Sequence, residues 1–307
     1  MGFTAKDVQE FREMTGAGML DCKKALAATD GDREKAVEWL RERGVAVAAK
    51  KASRIASDGL IGSYRDDKVG VLAELNCETD FVANTDGFKN LISKTAEVIG
   101  KGNISSVEEW LNAETGEGTI TELINEYTTK CGEKISARRF EKFTLSGYGI
   151  EEIYLHNGGK IGVMLEVETS APAIDEIKEL AHGIAMHIAA FSPAHIYVSE
   201  VPADYIEKEK AVLLAAAKND PKNAGKPDNI LEKMLMGRLN KGLKEICLVE
   251  QAYALDPSVT VGAAIANLEK KSGISIKLIK FVRLVMGEGI EKREDNLADE
   301  VAKLSGK

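Results

Sequence analysis

A carboxylate and an aromatic ring lie side by side where a predicted β-strand ends. The strand pattern, KVGVLAELNC over residues 68–77, has an apolar residue at every odd-numbered position. Such alternation predicts a strand with one buried face. It leads into the corner ETDFV (residues 78–82), before a helical pattern resumes near Phe88. Loops at strand ends often carry function, so the corner is a candidate binding element. The alternative is that Phe81 packs under the next helix.

Patterns that would support catalysis or metal binding are missing from the sequence. No phosphate loop (GxxxxGK[ST]), no HExxH zinc motif and no GxSxG nucleophile elbow occurs. His182 and His187 are five residues apart, which places them on different faces of a helix, so we do not expect them to share a metal ion. Paired carboxylates such as Glu151-Glu152 are expected at a solvated edge. The sequence therefore predicts a binding protein, not an enzyme, without a cofactor.

Composition narrows the class of partner and the compartment. The chain has 307 residues, which favours two or three domains, and its net charge is −8, which argues against direct binding of nucleic acid. No apolar run approaches the roughly 20 residues that span a membrane. The N-terminus has no signal-peptide layout. The widely spaced cysteines contain no CxxC pair, so we expect reduced thiols in a bacterial cytoplasm.

The first 45 residues predict three short helices. Thr4 can cap the first helix and Asp32 the third, and Gly44 is expected to end the third. Three helices of this size enclose little core, which is typical of a small recognition module. Residues 46–57, AVAAKKASRIAS, are predicted to form a linker.

The middle of the chain repeats itself at an offset of ninety-two residues. The segment KVGVLAE at 68–74 returns as KIGVMLE at 160–166, and each copy follows a strand and a turn and precedes a helical stretch. The second turn contains Asn157-Gly158, a strong hairpin signal. The repeat predicts two related α+β halves. The second copy has Ser-Ala-Pro where the first has Asp-Phe-Val, so the fold does not require Asp80 and Phe81, which favours a functional role for them.

Two helical segments interrupt the second half. Residues 203–218 and 230–243 are both helical in pattern, and the loop between them contains two prolines and a glycine. We predict an antiparallel helical arm, whose apolar stripe must meet its partner helix or another chain. A strand is expected over 274–286, followed by a last amphipathic helix over 294–304.

Several segments together resemble one protein family along nearly the full length and in the family's order. They are TGAGMLDCKKAL (15–26), NCETDFVAN (76–84), KCGEKISARR (130–139), HGIAMHIAA (182–190), GKP…EKM…GRLNK (225–241) and GEGIEK (287–292). This combination resembles bacterial translation elongation factor Ts, the guanine-nucleotide exchange factor for elongation factor Tu. The TDFVA motif is highly specific for that family.

The resemblance implies an α+β fold built from several parts. These are an N-terminal three-helix, ubiquitin-associated-like domain (1–45), a linker (46–57), core subdomains with antiparallel sheets at 58–140 and 141–290, a helical-hairpin or coiled-coil arm inserted at 203–243, and a C-terminal helix module (291–307).

The resemblance also implies a mechanism. The corner residues would intrude into the G domain of elongation factor Tu, dislocate its Mg²⁺ and promote release of GDP; they are Thr79, Asp80, Phe81 and Val82. Further partner contacts would come from Met19, Leu20, Cys131 and His156. Relatives commonly carry a basic residue just after TDFVA, whereas this chain has Asn84.

Other hypotheses remain open at this point. The three-helix domain alone would suit a ubiquitin-like-domain adaptor without exchange activity, whose binding surface would not need Asp80 or Phe81. The arm could pair with a second copy to form a homodimer, or contact the translation machinery. A small-molecule enzyme finds no support in the motifs.

Overall fold

The computed structural model describes residues 3–15, 17–219 and 228–291. The predicted α+β class is confirmed. The helices are α1 (Ala5–Thr15), α2 (Met19–Ala28), α3 (Arg33–Lys51), α4 (Asp80–Ala83), α5 (Asp86–Lys101), α6 (Val107–Asn112), α7 (Ile120–Cys131), α8 (Asp175–Phe191), α9 (Ala203–Asn219), α10 (Asp228–Ile246) and α11 (Val261–Ser272). The strands are β1 (Asp58–Arg65), β2 (Val69–Cys77), β3 (Ser136–Thr144), β4 (Gly149–His156), β5 (Ile161–Thr169), β6 (Ala252–Tyr253), β7 (Asp256–Thr260) and β8 (Ile276–Val285).

The N-terminal domain is formed by α1, α2 and α3 around a small core that includes Phe11, Leu26 and Ala36. Asp32 caps α3, as predicted, by accepting a hydrogen bond from the Lys35 amide at 3.1 Å. The expectation that Gly44 ends this helix is wrong, because α3 continues to Lys51 through the first part of the predicted linker. Gly44 lies instead against α7, where an added Cβ would be 3.6 Å from the carbonyl oxygen of Asn125. The glycine thus brings two helices close together.

The core contains two three-stranded antiparallel sheets, ordered β1-β2-β3 and β4-β5-β8. The central strands β2 and β5 are the two copies of the sequence repeat. Each carries a register shift at the same place, between Glu74 and Leu75 in β2 and between Glu166 and Val167 in β5. The predicted relation between the halves therefore extends to the irregularity of their sheets.

The central strand β2 is buried on both faces, so the prediction of one buried face is wrong. Its odd-numbered residues, Val71 among them, pack on the helices that follow. On the other face, Leu72 packs with Met164 of the second sheet. Gly70 permits this approach, since a Cβ there would lie only 2.8 Å from the Met164 sulfur. The two sheets pack face to face, which a pattern within one strand cannot reveal.

The paired carboxylates on β4 are buried, contrary to the expected solvated edge. Glu151 is 2% exposed, and its side-chain Cβ packs beside Gly70. Glu152 is bonded to Arg65 at 2.6 Å and to His182 at 2.7 Å. The net negative charge of the chain could not predict this burial, because the strands and helices that cover the two carboxylates are remote in the sequence.

The two histidines of α8 lie on different faces, as predicted. His182 is half exposed and bonds Glu152, whereas His187 is fully buried. His187 Nε2 lies 2.7 Å from the side-chain oxygen of Gln251, and its Nδ1 accepts a hydrogen bond from the Ala254 amide. Burial lowers the pKa of His187. Its role is to hold α8 against the segment around β6.

Helices α9 and α10 pack against each other and correspond to the predicted arm. Their shared core includes Leu239, Leu243 and Leu213. Residues 220–227, in the predicted loop of the arm, and the predicted last helix over 294–304 lie outside the described residues. In the described ranges, no helix has the length and apolar character needed to cross a membrane.

Candidate functional site

The corner after β2 folds into the single-turn helix α4. Thr79 is its extended N-cap, and its hydroxyl accepts a hydrogen bond from the Val82 amide at 3.4 Å. Threonine is favoured at this position because its oxygen satisfies an amide that the helix leaves free. On the inner side of the turn, Ala83 is fully buried. The corner is therefore a defined turn fixed to the sheet.

Phe81 projects from this turn into solvent, with 83% of its surface exposed. This excludes the alternative that it packs under the next helix. That position is taken by Phe88, which is completely buried at the start of α5. An exposed aromatic ring on an ordered turn contributes nothing to its own core and is available to a partner.

Asp80, next to the ring, is also exposed. Within the ranges that the structure describes, its carboxylate has no hydrogen bond or ion pair with another side chain. It lies in the first turn of α4, where a negative charge is favourable. The corner thus presents an unpaired carboxylate and an apolar ring together.

Glu133, in the loop after α7, is hydrogen-bonded to the corner. One oxygen of its carboxylate accepts hydrogen bonds from the amides of Glu78 at 3.1 Å and Thr79 at 3.0 Å. The other accepts the Thr79 hydroxyl at 2.7 Å. In return, the Glu78 carboxylate accepts the Lys134 amide at 2.7 Å. The two loops are joined by hydrogen bonds in both directions.

Two cysteines lie beside these contacts. The Cys77 thiol donates to the Thr79 carbonyl at 3.1 Å, and burial raises its pKa to about 12. Cys131 is half-buried, and its sulfur accepts a hydrogen bond from the Glu133 amide at 3.5 Å. Burial raises the pKa of Cys131 as well. Both side chains therefore remain neutral thiols, Cys77 bonded to the corner and Cys131 to the loop of Glu133.

The other candidate contacts lie on separate elements. Met19 and Leu20 are at the start of α2 and are 44% and 71% exposed. His156 is exposed at the end of β4, where its Nδ1 lies 3.0 Å from the Tyr154 hydroxyl. The structure does not collect these residues into one pocket. They would suit contacts spread across a large partner.

The loop of Glu133 also connects the corner to the N-terminal domain. Lys51, the last residue of α3, donates to the carbonyl of Gly132. Lys134 donates to the carbonyls of Ala52 and Arg54. The helix that carries the first domain and the corner that carries Phe81 are therefore anchored on the same short loop.

The chain is similar to known proteins over nearly its full length. Residues 78–288 match the family model described as Elongation factor TS. The chain belongs to the elongation factor Ts family. Elongation factor Ts of Clostridium perfringens is 45% identical over 99% of both chains. The protein of the same name from Clostridioides difficile is 45% identical over 98% of both, and that of Symbiobacterium thermophilum is 42% identical over 99% of this chain and 98% of its own.

Membership of the elongation factor Ts family assigns the chain to translation elongation in protein biosynthesis. The match includes the corner, Cys131 and His156, but begins after Met19 and Leu20. The full-length relatives also cover those two positions. The resemblance read from the sequence segments is confirmed.

Glu133 is a residue that the motifs did not single out. It lies within KCGEKISARR, one of the segments that resemble elongation factor Ts, but fifty-four residues separate it from Thr79. The one local signal is Gly132, which ends α7 with φ of +76° and turns the chain toward the corner. A carboxylate after such a turn is common, so its partner could not be identified from spacing.

Proposed function

We propose that the chain is a guanine-nucleotide exchange factor that binds elongation factor Tu carrying GDP and promotes release of the nucleotide. The observation that carries the proposal is the exposed ring of Phe81 on a turn whose backbone is anchored on both sides. The corner Thr79–Val82 would enter the G domain of the partner. It would act by binding alone, without covalent chemistry or a cofactor of its own.

Physical chemistry accounts for the coupling between the corner and GDP. Mg²⁺ in a GTPase bridges phosphate oxygens and requires near-ideal octahedral geometry. Insertion of Phe81 would displace the segment that supports the ion, and Asp80 would hold the ring in place through polar contacts. Nucleotide and exchange factor would then favour different conformations of one GTPase. The coupling is reciprocal, so nucleotide must also weaken binding of the factor.

Phe81 cannot supply this coupling alone. Shifting a conformational equilibrium from 1:99 to 99:1 takes roughly 5.5 kcal/mol of differential binding. Burying one phenylalanine side chain contributes about 1.5–3 kcal/mol. A second, wide contact is therefore needed, and exposed Met19 and Leu20 support one on the G domain. His156 and Cys131 are the further candidates for partner contacts.

The test is release of a fluorescent GDP analogue from a purified Tu-type GTPase. Phe81→Ala is expected to lower the stimulated rate about tenfold to a hundredfold, in line with the burial of one ring. Asp80→Ala should lower it as well. Tyr148→Ala is the matched control, because this aromatic ring is also exposed, at 59%, but lies in the loop before β4. If both corner variants release GDP at the wild-type rate, the proposal is wrong.

The same assay addresses the alternative of an adaptor without exchange activity. An adaptor that binds through α1–α3 would still capture its partner but would leave the GDP release rate at its spontaneous value, with or without Phe81. The proposal also places the factor in the cytoplasm, with no direct contact to nucleic acid or membrane.

A further inference from the structure

The loop at Glu133 restricts the corner more tightly than a single cap would. Backbone amides of residues 78 and 79 donate to Glu133, and the amide of residue 134 donates to Glu78. The two loops, at residues 78–79 and 133–134, are remote in sequence. Each provides a carboxylate that accepts hydrogen bonds from backbone amides of the other. Glu78 is held in addition by Arg54 at 3.2 Å. Thr79 cannot change its backbone conformation without breaking several of these bonds.

The bond from Thr79 to Glu133 also orients the cap of α4. A hydroxyl has one proton and two lone pairs. Because the hydroxyl donates its hydrogen bond to the carboxylate at 2.7 Å, a lone pair of the same oxygen is left to accept a hydrogen bond from the Val82 amide. The carboxylate thus acts on the α4 turn through Thr79, although it does not touch Asp80 or Phe81 by any hydrogen bond in the described structure.

The α4 turn needs this support because it is only four residues long. Helix nucleation is unfavourable, and an isolated turn is not stable in water. The ring of Phe81 adds no packing, since it is exposed. On the far side of the turn, Thr85 donates to the Val82 carbonyl at 2.7 Å and Ala83 is buried. On the near side, the support comes from Glu133.

We propose that Glu133 is a positioning residue for nucleotide exchange, which holds Thr79 so that the α4 turn presents Phe81 in one orientation. The inference rests on the proposed function, because it assigns Glu133 a role in that activity. A preorganised ring enters the partner without the loss of conformational entropy that a frayed loop would incur.

Removing the carboxylate should affect exchange more than binding. If Glu133→Ala leaves the turn ordered in about one tenth of the molecules, the maximal rate of GDP release at saturating factor falls about tenfold. The half-saturating concentration should change much less, since contacts at Met19 and elsewhere remain. Glu133→Gln keeps the size of the side chain and one acceptor oxygen, so it should retain an intermediate rate.

Two measurements separate this role from a general loss of stability. Amide hydrogen exchange in the free factor should accelerate at Val82 and Ala83 in Glu133→Ala, with little change in β5 and α8. In a Phe81→Ala background, adding Glu133→Ala should lower the GDP release rate no further, because the carboxylate acts through the ring. Glu141→Ala is the control, an exposed carboxylate on β3 with no bonded partner in the described ranges.

The outcomes distinguish the two proposals. If Phe81→Ala leaves exchange unchanged, the proposed function fails, and the hydrogen-exchange measurement still decides whether Glu133 orders the turn. If Phe81→Ala slows exchange but folded Glu133→Ala does not, the positioning role is overturned. Should Glu133→Ala fail to fold, Glu133→Gln and Thr79→Val provide the same comparison, and wild-type rates in both would equally overturn it.

Discussion

Glu74 and Glu166 occupy equivalent positions in the two halves of the core, on the central strands β2 and β5. Each pairs with a basic residue on the third strand of its sheet, Glu74 with Arg139 at 2.6 Å and Glu166 with Lys280 at 3.1 Å. Their surroundings differ. Glu74 is fully buried and also bonds Arg138 and the Gly287 amide, each at 2.8 Å. Glu166 lies directly opposite a second carboxylate, Glu151, on the neighbouring strand β4.

The first prediction compares these two carboxylates. Removing one partner from a buried, fully bonded ion pair costs about 3–5 kcal/mol. Glu74→Gln should therefore lower the free energy of unfolding by an amount of that order, because it removes the buried negative charge that Arg138 and Arg139 share. Glu166→Gln should cost much less, since its partner Lys280 is 47% exposed to water and since loss of the Glu166 charge makes Glu151 easier to ionise. Urea unfolding of both variants measures the two free energies of unfolding. An equal loss of stability in the two variants would contradict the prediction that Glu74 contributes more than Glu166.

Glu74 also makes the fold sensitive to acid. Burial alone would raise its pKa, but hydrogen bonds from the Gly287 amide, Arg138 and Arg139 outweigh burial and hold the pKa below its usual value. A lowered pKa in the folded state stabilises the fold above the unfolded pKa, and this contribution is lost as the pH falls. Glu74→Gln should accordingly unfold with a weaker pH dependence below about pH 4.5 than the wild type.

The second prediction concerns Glu151, whose effect on the pH dependence of stability is opposite to that of Glu74. Burial, and then the nearby charge of Glu166, raise its pKa to about 8, while Lys280 partly offsets both. The folded state therefore holds a proton that the unfolded chain has released, so stability falls as the pH rises from about 4.5 to 8.

Glu151→Gln should remove most of this dependence and stabilise the fold above pH 8. The measurement is the melting temperature between pH 5 and 9, for the wild type, Glu151→Gln and the exposed control Glu141→Gln. A wild-type slope unchanged in Glu151→Gln would show that other groups cause it. Arg65 donates a hydrogen bond to the Glu151 carbonyl, and this contact is present in every variant.

The third prediction tests the contact between α3 and α7 at Gly44. An added Cβ would meet its neighbours at 3.6 Å or more, which is ordinary contact. Alanine also favours a helix over glycine by about 0.5–1 kcal/mol. Gly44→Ala is thus expected to raise the melting temperature slightly. Gly44→Leu should instead push the helices apart and expose α7 to limited proteolysis. If the leucine variant resists protease as well as the wild type, the close contact is not needed.

The fourth prediction concerns the arm. Val212 and Met236 are 61% and 47% exposed on α9 and α10, outside the core that the two helices share. We expect these apolar residues to pair with a second copy. Light scattering of a variant that lacks residues 203–243 should then give a smaller mass per particle than deletion alone explains, and Val212→Lys should give the same shift in the full chain. An unchanged association state would exclude the homodimer.

Local patterns predicted those features of the chain that depend on neighbouring residues. The alternation in β2, the turn at Asn157-Gly158 and the two-copy repeat each follow from spacing within a few residues. The sequence suggests that Gly44 ends a helix, because glycine commonly does so, whereas in the structure Gly44 lies within α3 and contacts α7. The burial of Glu151 could not be predicted for the same reason, since a second sheet provides it.

The candidate site shows the same division. The corner and its motif were evident in the sequence, but the exposure of Phe81 was not. The exposure of Phe81 depends on whether the chain forms a helical turn directly after Thr79. Glu133, which is remote from Thr79 in the sequence, stabilises that turn. The contact between the Glu133 carboxylate and Thr79 could be identified only from the three-dimensional structure.

The face-to-face packing of the two sheets limits how this chain can be divided. Leu72 and Met164 cover each other, and Arg139 donates to the carbonyl of Val285 across the halves. Cutting the chain between β3 and β4 would leave a bare apolar surface on both fragments. Neither piece is then expected to persist alone in solution, and co-expression of both should be required to recover either one, although the two halves share a repeated sequence segment and similar sheets.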